Sequence, residues 1–492
     1  MRTQSRPKFE ILKNLELKIV LSIIVLSASL NAHGQTSHYW TNQVGARSTM
    51  LGGSMVGNVR DNSAIYYNPG GMAFTEKASI SADGDAIYLD FFNHENGAGE
   101  DVDMESLILE AIPSALIGSF KSEKRPWLTM NYALMNKNAS KSSFNAQYSG
   151  VADVMSDHPG DENYLGTYSF SNETREDWVI LGRGYKVSER LGLGISTVIA
   201  FLSQKQSEKY NISTFVPTAD GSVNELGYNI NETDLNYSNI GLLFKVGWSY
   251  EFDKLRIGGN ITTPRLSILA VSKAYINRNN QVSVSPYTDQ PTKKSFTQDK
   301  IPVQYKSPWI FDLGISYPIS KKGVAFITVA YFSKIKKYDQ LKGNVELSGP
   351  EEILDPSEEN YSAVFQAYKP IFNIAIGYEH RLNDHYSVLT GFRTDFNYSD
   401  LEELDEDLGY ISTFSNYTLY HLTGGIGYTN KTISLNVGII SAFGKSSGNE
   451  QLVNLIDPKD ENLLLGNIGN TVNSSFLRLG VVLGLTFFFT KS

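Results

Sequence analysis

The sequence predicts an all-β protein: a fourteen-stranded antiparallel transmembrane β-barrel whose lumen is plugged by the N-terminal chain. Three observations carry this expectation. The first is the C-terminal segment, where apolar side chains occupy Leu477, Leu479, Val481, Leu483, Leu485, Phe487 and Phe489, opposed by Arg478, Gly480, Gly484 and Thr486. Side chains alternate faces along a strand, so this segment has one greasy face and one small or polar face. The second is the recurrence of that pattern, and the third is the sorting of the connections into short and long. About 9 to 11 residues of tilted strand cross a bilayer, with short turns on the periplasmic side and long loops outside.

Composition narrows the class. The 492 residues include no cysteine, which excludes disulfides and thiolate metal sites. Arg2, Arg6, Lys8, Lys13 and Lys18 precede an apolar run, Ile19 to Leu30, and the small-x-small sequence Ala32-His33-Gly34. This reads as a signal peptide over 1–34, too short in its apolar core for a membrane helix. Its removal takes five of 43 basic and two of 52 acidic residues and leaves a net charge of −12, which argues against nucleic acid as a partner. Aromatics reach 12%, with 28 Tyr and 25 Phe, and 41 residues are glycine.

The strands are expected near 76–92, 111–121, 127–136, 165–187, 191–205, 236–252, 255–264, 307–319, 324–335, 366–382, 385–398, 413–428, 432–443 and 475–490, with a break at Asn172–Arg175. Tyr386, Val388, Thr390 and Phe392 oppose Ser387, Gly391, Arg393 and Asp395; Trp309, Phe311, Leu313, Ile315 and Tyr317 oppose Asp312, Gly314 and Ser316. Short turns are expected near Ser122–Pro126, Ser188–Arg190, Asp253–Lys254, Ser320–Gly323, Asn383–Asp384 and Thr429–Lys431. Long external loops are expected near 137–164, 207–235, 265–306, 337–365, 399–412 and 445–472. A soluble sandwich has no reason to sort its loops by length. A closed barrel also leaves no edge strand to face lipid.

Residues 35–75 break the strand rhythm. They are glycine-rich and end in Asn68-Pro69-Gly70-Gly71, a turn in which proline presets φ and glycine accepts φ > 0. Either a periplasmic leader or a compact plug inside the barrel accounts for them. The run Gly45-Ala46-Arg47-Ser48-Thr49-Met50-Leu51-Gly52-Gly53-Ser54, followed by Asp61-Asn62-Ser63-Ala64-Ile65-Tyr66-Tyr67-Asn68-Pro69-Gly70-Gly71-Met72-Ala73, resembles the N-terminal hatch of the FadL/TodX family of outer-membrane transporters of long-chain fatty acids and other hydrophobic compounds. The resemblance implies a hatch over 35–75, with Gly52, Gly53, Asp61, Asn68, Pro69, Gly70 and Gly71 as gate residues, and a barrel over 76–492. At Gly70 the family usually has alanine, so a looser turn is expected there.

The resemblance also implies a function. Ligand partitions from the external loops into a greasy pocket, the hatch shifts, and the ligand leaves through a side opening in the wall. Each buried CH₂ adds roughly 0.8 kcal/mol, which favours long chains over short. No cofactor is implied. The expected partners are a long-chain fatty acid or other hydrophobic ligand, with outer-membrane lipid and lipopolysaccharide around a monomeric barrel. Two other functions fit the same barrel: a shuttle or scaffold of a type IX secretion system, and a general porin, against which the glycine-rich segment speaks.

Charges on the expected lumen face are Lys245, Arg256, Asp312, Glu379, Arg393, Asp395 and Arg478. Lys245, Arg393 and Arg478 are the candidates for holding a ligand carboxylate through a charge-assisted hydrogen bond. The opposing reading pairs these charges with one another or with the hatch, because unpaired buried charge is costly. The acidic runs Glu351–Glu359 and Asp400–Asp407 lack EF-hand spacing and read as solvated loops rather than a metal site. His380 and His385 flank a turn, and His421 is expected to face the lumen. No nucleophile with an adjacent base is visible, so an enzyme is not expected.

Overall fold

The computed structural model describes residues 37–75, 77–122, 124–218, 222–284, 292–344, 362–400, 402–404 and 417–489. The signal-peptide region 1–34 and the acidic run 351–359 lie outside these residues, as does part of 400–407. The wall is built from β1 (Ser79–Glu95), β2 (Met104–Ser122), β3 (Arg125–Ala152), β4 (Glu162–Lys186), β5 (Leu191–Pro217), β6 (Val223–Glu251) and β7 (Arg256–Thr262). It continues with β11 (Ile310–Pro318), β12 (Gly323–Phe332), β15 (Ile371–Arg381), β16 (Tyr386–Asp395), β17 (Leu419–Thr429), β18 (Ile433–Asn449) and β19 (Val472–Phe488). Each pairs antiparallel with the next, and β19 pairs with β1 to close a fourteen-stranded barrel. The remaining strands, β8 (Leu266–Ser267), β9 (Lys273–Ser283), β10 (Thr292–Pro302), β13 (Ile335–Lys342) and β14 (Ala363–Tyr368), belong to the outer half.

The alternation read from the sequence has a physical counterpart. Leu479 and Leu483 are each 46% exposed on the outside, whereas Arg478 beside Leu479 and Val482 beside Leu483 are buried. Outward aromatics form two girdles. Phe311, Tyr331 and Phe372 lie ring beside ring at 6.3 and 4.7 Å, and Tyr420 meets Phe443 at 6.0 Å. Nearer the short turns, Trp127 stacks on Tyr185 at 6.0 Å, and Tyr386 meets Tyr428 at 5.1 Å. Two aromatic girdles around an apolar band are what a bilayer requires of a barrel surface.

Beyond the outer girdle the structure departs from expectation. Residues 137–152, 162–164, 207–217 and 223–235, expected in long loops, are extensions of β3 to β6, and β4 runs unbroken through Asn172–Arg175. Their outer faces meet water rather than lipid, so the outward positions are polar and the alternation of hydrophobicity fades. Their inner faces carry Phe144, Tyr168, Phe170, Tyr210 and Ile212, which pack with Val453, Leu455 and Leu464 of the β18–β19 connection into a second core. Likewise 265–306 contains β8 to β10, and 337–365 holds most of β13 and the start of β14.

Candidate functional site

The N-terminal chain lies inside the barrel. Helix α1 (Ala46–Met50) is bounded by Gly45, Gly52 and Gly53, all at positive φ (83°, 67° and 79°). Helix α2 (Ala64–Tyr67) leads into a 3₁₀ turn, Pro69–Phe74. The Asn68 side chain organises this junction: it accepts from Gly70 N at 3.0 Å and donates to Val56 O at 2.8 Å and Trp248 O at 2.9 Å. Gly70 is not a loose point. A Cβ there would sit 2.5 Å from Trp248 Cα, so glycine is what allows the turn to press against β6. Asp61 accepts from the Ser63 amide at 3.0 Å and faces Arg47 at 3.5 Å; Arg47 also pairs with Glu379 of the wall.

The wall answers with glycines of its own. A Cβ at Gly194 would collide with Pro69, at Gly391 with Leu51 and Gly52, at Gly314 with Gly57, and at Gly425 with Met50. Wall side chains then satisfy the plug's backbone. Ser196 donates to Ile65 O at 2.8 Å, Asn260 to Tyr67 O at 2.7 Å, and Thr423 to Met50 O at 2.9 Å. Buried carbonyls need such partners, and here they receive them from the strands.

Preceding α1, the strap 37–43 crosses the lumen on the outer side. Arg393 donates to Trp40 O and Thr41 O, both at 3.0 Å, and Asp395 accepts from Trp40 N at 3.0 Å. Arg478 forms a bidentate pair with Asp90 at 2.7 and 2.6 Å and reaches Asn42 Oδ1 at 3.2 Å. Lys137 donates to Tyr39 O at 2.9 Å.

Between the strap and the outer wall lies a cavity of about 170 Å³. Tyr39, Trp40, Tyr66, Trp178, Leu202 and Leu243 contribute much of its lining, together with the charges of Lys137, Glu176, Lys245, Arg265 and Asp312. Of the three carboxylate candidates, Lys245 alone borders this cavity; its Nζ donates to Tyr66 O at 2.7 Å and lies 3.8 Å from Asp312. Arg393 and Arg478 are spent on the strap and on Asp90. His421 does face inward, where its Nδ1 lies 3.0 Å from Arg393 Nη2. The sequence reading missed Arg265 and Lys137. Both sit in stretches read as external loops, where no periodicity marks an inward side chain.

A second feature of the site is a split in the wall. The β2–β3 ladder runs up to Ala115↔Met135 and stops. Beyond it, among the described residues, Met104–Ala111 of β2 pairs with β1 and Asn138–Ala152 of β3 pairs with β4. Lys137 and Asn138, just past the split, border the cavity.

Solved structures share this architecture. A FadL homologue of Pseudomonas aeruginosa aligns with 92% of this chain and 100% of its own at 11% identity, with a TM-score of 0.54. The Pseudomonas putida toluene transporter TodX aligns over 94% and 99% at 12% identity, with a TM-score of 0.52. A TodX deletion variant described as a monoaromatic hydrocarbon channel gives 13% identity over 91% and 100%, with a TM-score of 0.54. The chain therefore shares the fold of these proteins, here a closed fourteen-stranded barrel with the N-terminal chain inside it. No protein-family model matches the sequence, and no curated protein matches it.

Proposed function

We propose that this barrel passes small hydrophobic molecules through the outer membrane by diffusion, by way of the cavity between the strap and the outer wall. The observation that carries this reading is the cavity itself, ring-lined and closed on its inner side by the hatch. At about 170 Å³ it is close to the roughly 150 Å³ of an apolar cavity that takes up benzene. Its size supports a compact, ring-sized ligand in the resting state. A long-chain fatty acid needs the strap 37–43 to move. The solved neighbours include a toluene transporter, which agrees with a ring-sized ligand.

The route we infer is lateral. The β2–β3 split adjoins the cavity through Lys137 and Asn138, so a ligand can leave through the wall without the hatch departing. Within this reading Lys245 receives the acidic end of a ligand that has one, and Arg393 and Arg478 serve as strap anchors. Gly52, Gly53, Asn68, Pro69, Gly70 and Gly71 act as the fixed seat of the hatch, with Asp61 tethering Arg47. A general porin is disfavoured because the hatch lies across the lumen, its backbone pressed against glycines of the wall. A secretion shuttle would use the folded outer lobe.

The test is toluene binding to the purified barrel, read by quenching of tryptophan fluorescence. Leu202→Trp, which fills the cavity, should abolish saturable quenching while the barrel stays folded. Saturable binding unaltered by that substitution would remove the cavity from the route. Co-purification of a stoichiometric secreted protein in place of hydrocarbon binding would favour the shuttle.

A further inference from the structure

The wall is interrupted a second time, on the other side of the cavity. The β7–β11 ladder ends at Thr262↔Ile310, and the β9–β10 ladder resumes at Lys273↔Pro302. Between these pairs ten residues, 263–272, face seven, 303–309. A β-bulge sets two residues against one, so this is more than a bulge. Pro264 and Pro308 stand on the two rims, and neither has an amide to donate.

The rims are joined by three side-chain-mediated hydrogen bonds and one backbone bond. Arg265 N donates to Ser307 Oγ at 2.8 Å. Ser267 Oγ donates to Tyr305 O at 2.9 Å and lies 2.9 Å from Tyr305 N. Val303 N donates to Ser272 O at 3.2 Å. On its other flank the segment 263–272 stays attached to β6, through Thr263 N to Phe244 O at 2.9 Å and Ile268 N to Ile240 O at 2.8 Å. The segment is thus a flap, hinged on β6 and lightly sealed against the β10–β11 connection.

Its two faces meet different surroundings. Outside, just beyond the girdle that Phe311 marks one residue from Ile310, the exposed side chains are Leu266, Ile268, Leu269 and Val271. Inside, Arg265, Tyr305, Ser307 and Pro308 border the cavity. The fully buried Arg265 side chain crosses Gly241, where a Cβ would collide with it. It bonds Glu176 at 2.8 Å and the carbonyls of Ala200 and Asn239 at 2.9 Å each, with its guanidinium 5.2 Å from the Tyr305 ring centre. One arginine ties the flap to β4, β5 and β6.

We propose that the flap 263–272 is a second wall port, through which apolar molecules pass from the outer leaflet into the cavity, and that Arg265 is its bolt. The proposal rests on the cavity reading above and adds an entrance to it. Apolar side chains gather molecules at the interface, the serine-sealed rim opens, and the bolt limits how far.

The chain has no cysteine, so Ser267→Cys with Tyr305→Cys places one removable lock across the rim. The full-length variant is reconstituted in liposomes with 1-N-phenylnaphthylamine added to the bilayer. Trp127, Trp248 and Trp309, which are exposed on the outside, are replaced by Phe in every protein used, so that energy transfer from Trp40 and Trp178, which border the cavity, reports loading. The oxidised protein should load about tenfold more slowly than the same protein reduced, with recovery on adding reductant. Arg265→Met should load several-fold faster than wild type. An oxidised sample with the bridge verified by mass, loading at the reduced rate, overturns the port. Absence of energy transfer in wild type instead removes the cavity reading, and the port with it. If Arg265→Met fails to give the heat-modifiable gel mobility of a folded barrel, the disulfide pair alone decides.

Discussion

The half of the lumen nearest the short turns and the half nearest the outer lobe are lined by the same strands in opposite ways. In the first, inward glycines such as Gly194, Gly314 and Gly391 touch the backbone of the hatch, and the space left beside it, about 470 Å³ around Arg47, Asp61, Arg256 and Glu379, is lined by charge. In the second, inward positions carry Trp178, Leu202, Tyr237 and Arg265, and a cavity remains. A permanent occupant can be met backbone to backbone, atom for atom. An exchanging occupant needs adaptable side chains and room, and both interruptions of the wall lie in this half.

The sharpest way to break the comparison is at the boundary of the halves. Arg478→Met leaves Asp90 buried without its partner and should lower barrel stability by about 3–5 kcal/mol. Toluene affinity measured on the surviving folded fraction should stay unchanged, because Arg478 does not border the cavity. A selective loss of affinity would show that the strap anchors also bind ligand.

Next in size is the contrast of Leu483 with Gly484. Arginine at Leu483, on the lipid face, should cost roughly 2–4 kcal/mol near mid-membrane. Arginine at Gly484 would instead point into the lumen. The structure sets Ala46 of α1 and Asp83 where that side chain would go, so the expected outcome is displacement of the hatch and raised permeability to small dyes. Equal thermal stability of the two variants would mean the inward and outward faces are misassigned.

A third substitution probes the glycine contact alone. Gly194→Val should destabilise hatch seating by about 1–3 kcal/mol through overpacking. Tyr237→Phe in the cavity half should leave hatch seating intact. Hydrogen exchange of residues 64–74 reads the difference. Protection that falls equally in both variants would erase the distinction between the halves.

The smallest effect belongs outside the membrane. Lys334 bonds Glu403 and lies 3.4 Å from Asp400. The Glu403 bond raises the lysine's pKa, and the same bond holds the carboxylate below its usual range. The pair's contribution is present at neutral pH, lost on the acid side as Glu403 protonates and on the alkaline side as Lys334 deprotonates. Lys334 is exposed and Glu403 only partly buried, so Lys334→Met should leave thermal unfolding at pH 7 unchanged within error. A measurable drop would show that the outer loops brace the barrel.

Much of the membrane-embedded half was legible in the sequence. Lipid selects apolar residues at every second position, and Leu477 to Phe489 displays that selection openly. The strand extensions were hidden because water on their outer faces permits Asn145, Thr167 and Lys209 where lipid would demand leucine. The hatch glycines were visible as a pattern, yet Gly70 was misread: its tightness depends on Trp248, which is distant in sequence. Arg265 was invisible for a related reason. Its direction is set by a flap whose path depends on two prolines and a partner strand, none of which leaves a periodic trace.

The seam between β1 and β19 has a consequence for biogenesis. The first and last wall strands are neighbours, joined down to Ser79↔Phe488 and, one step beyond, by Phe489 N to Ala78 O at 2.9 Å. The cylinder therefore cannot shut until the final strand has emerged from synthesis and crossed to the membrane. Until then the sheet is an open trough whose concave face already presents its glycines, so the hatch can settle sideways and is enclosed when the seam zips.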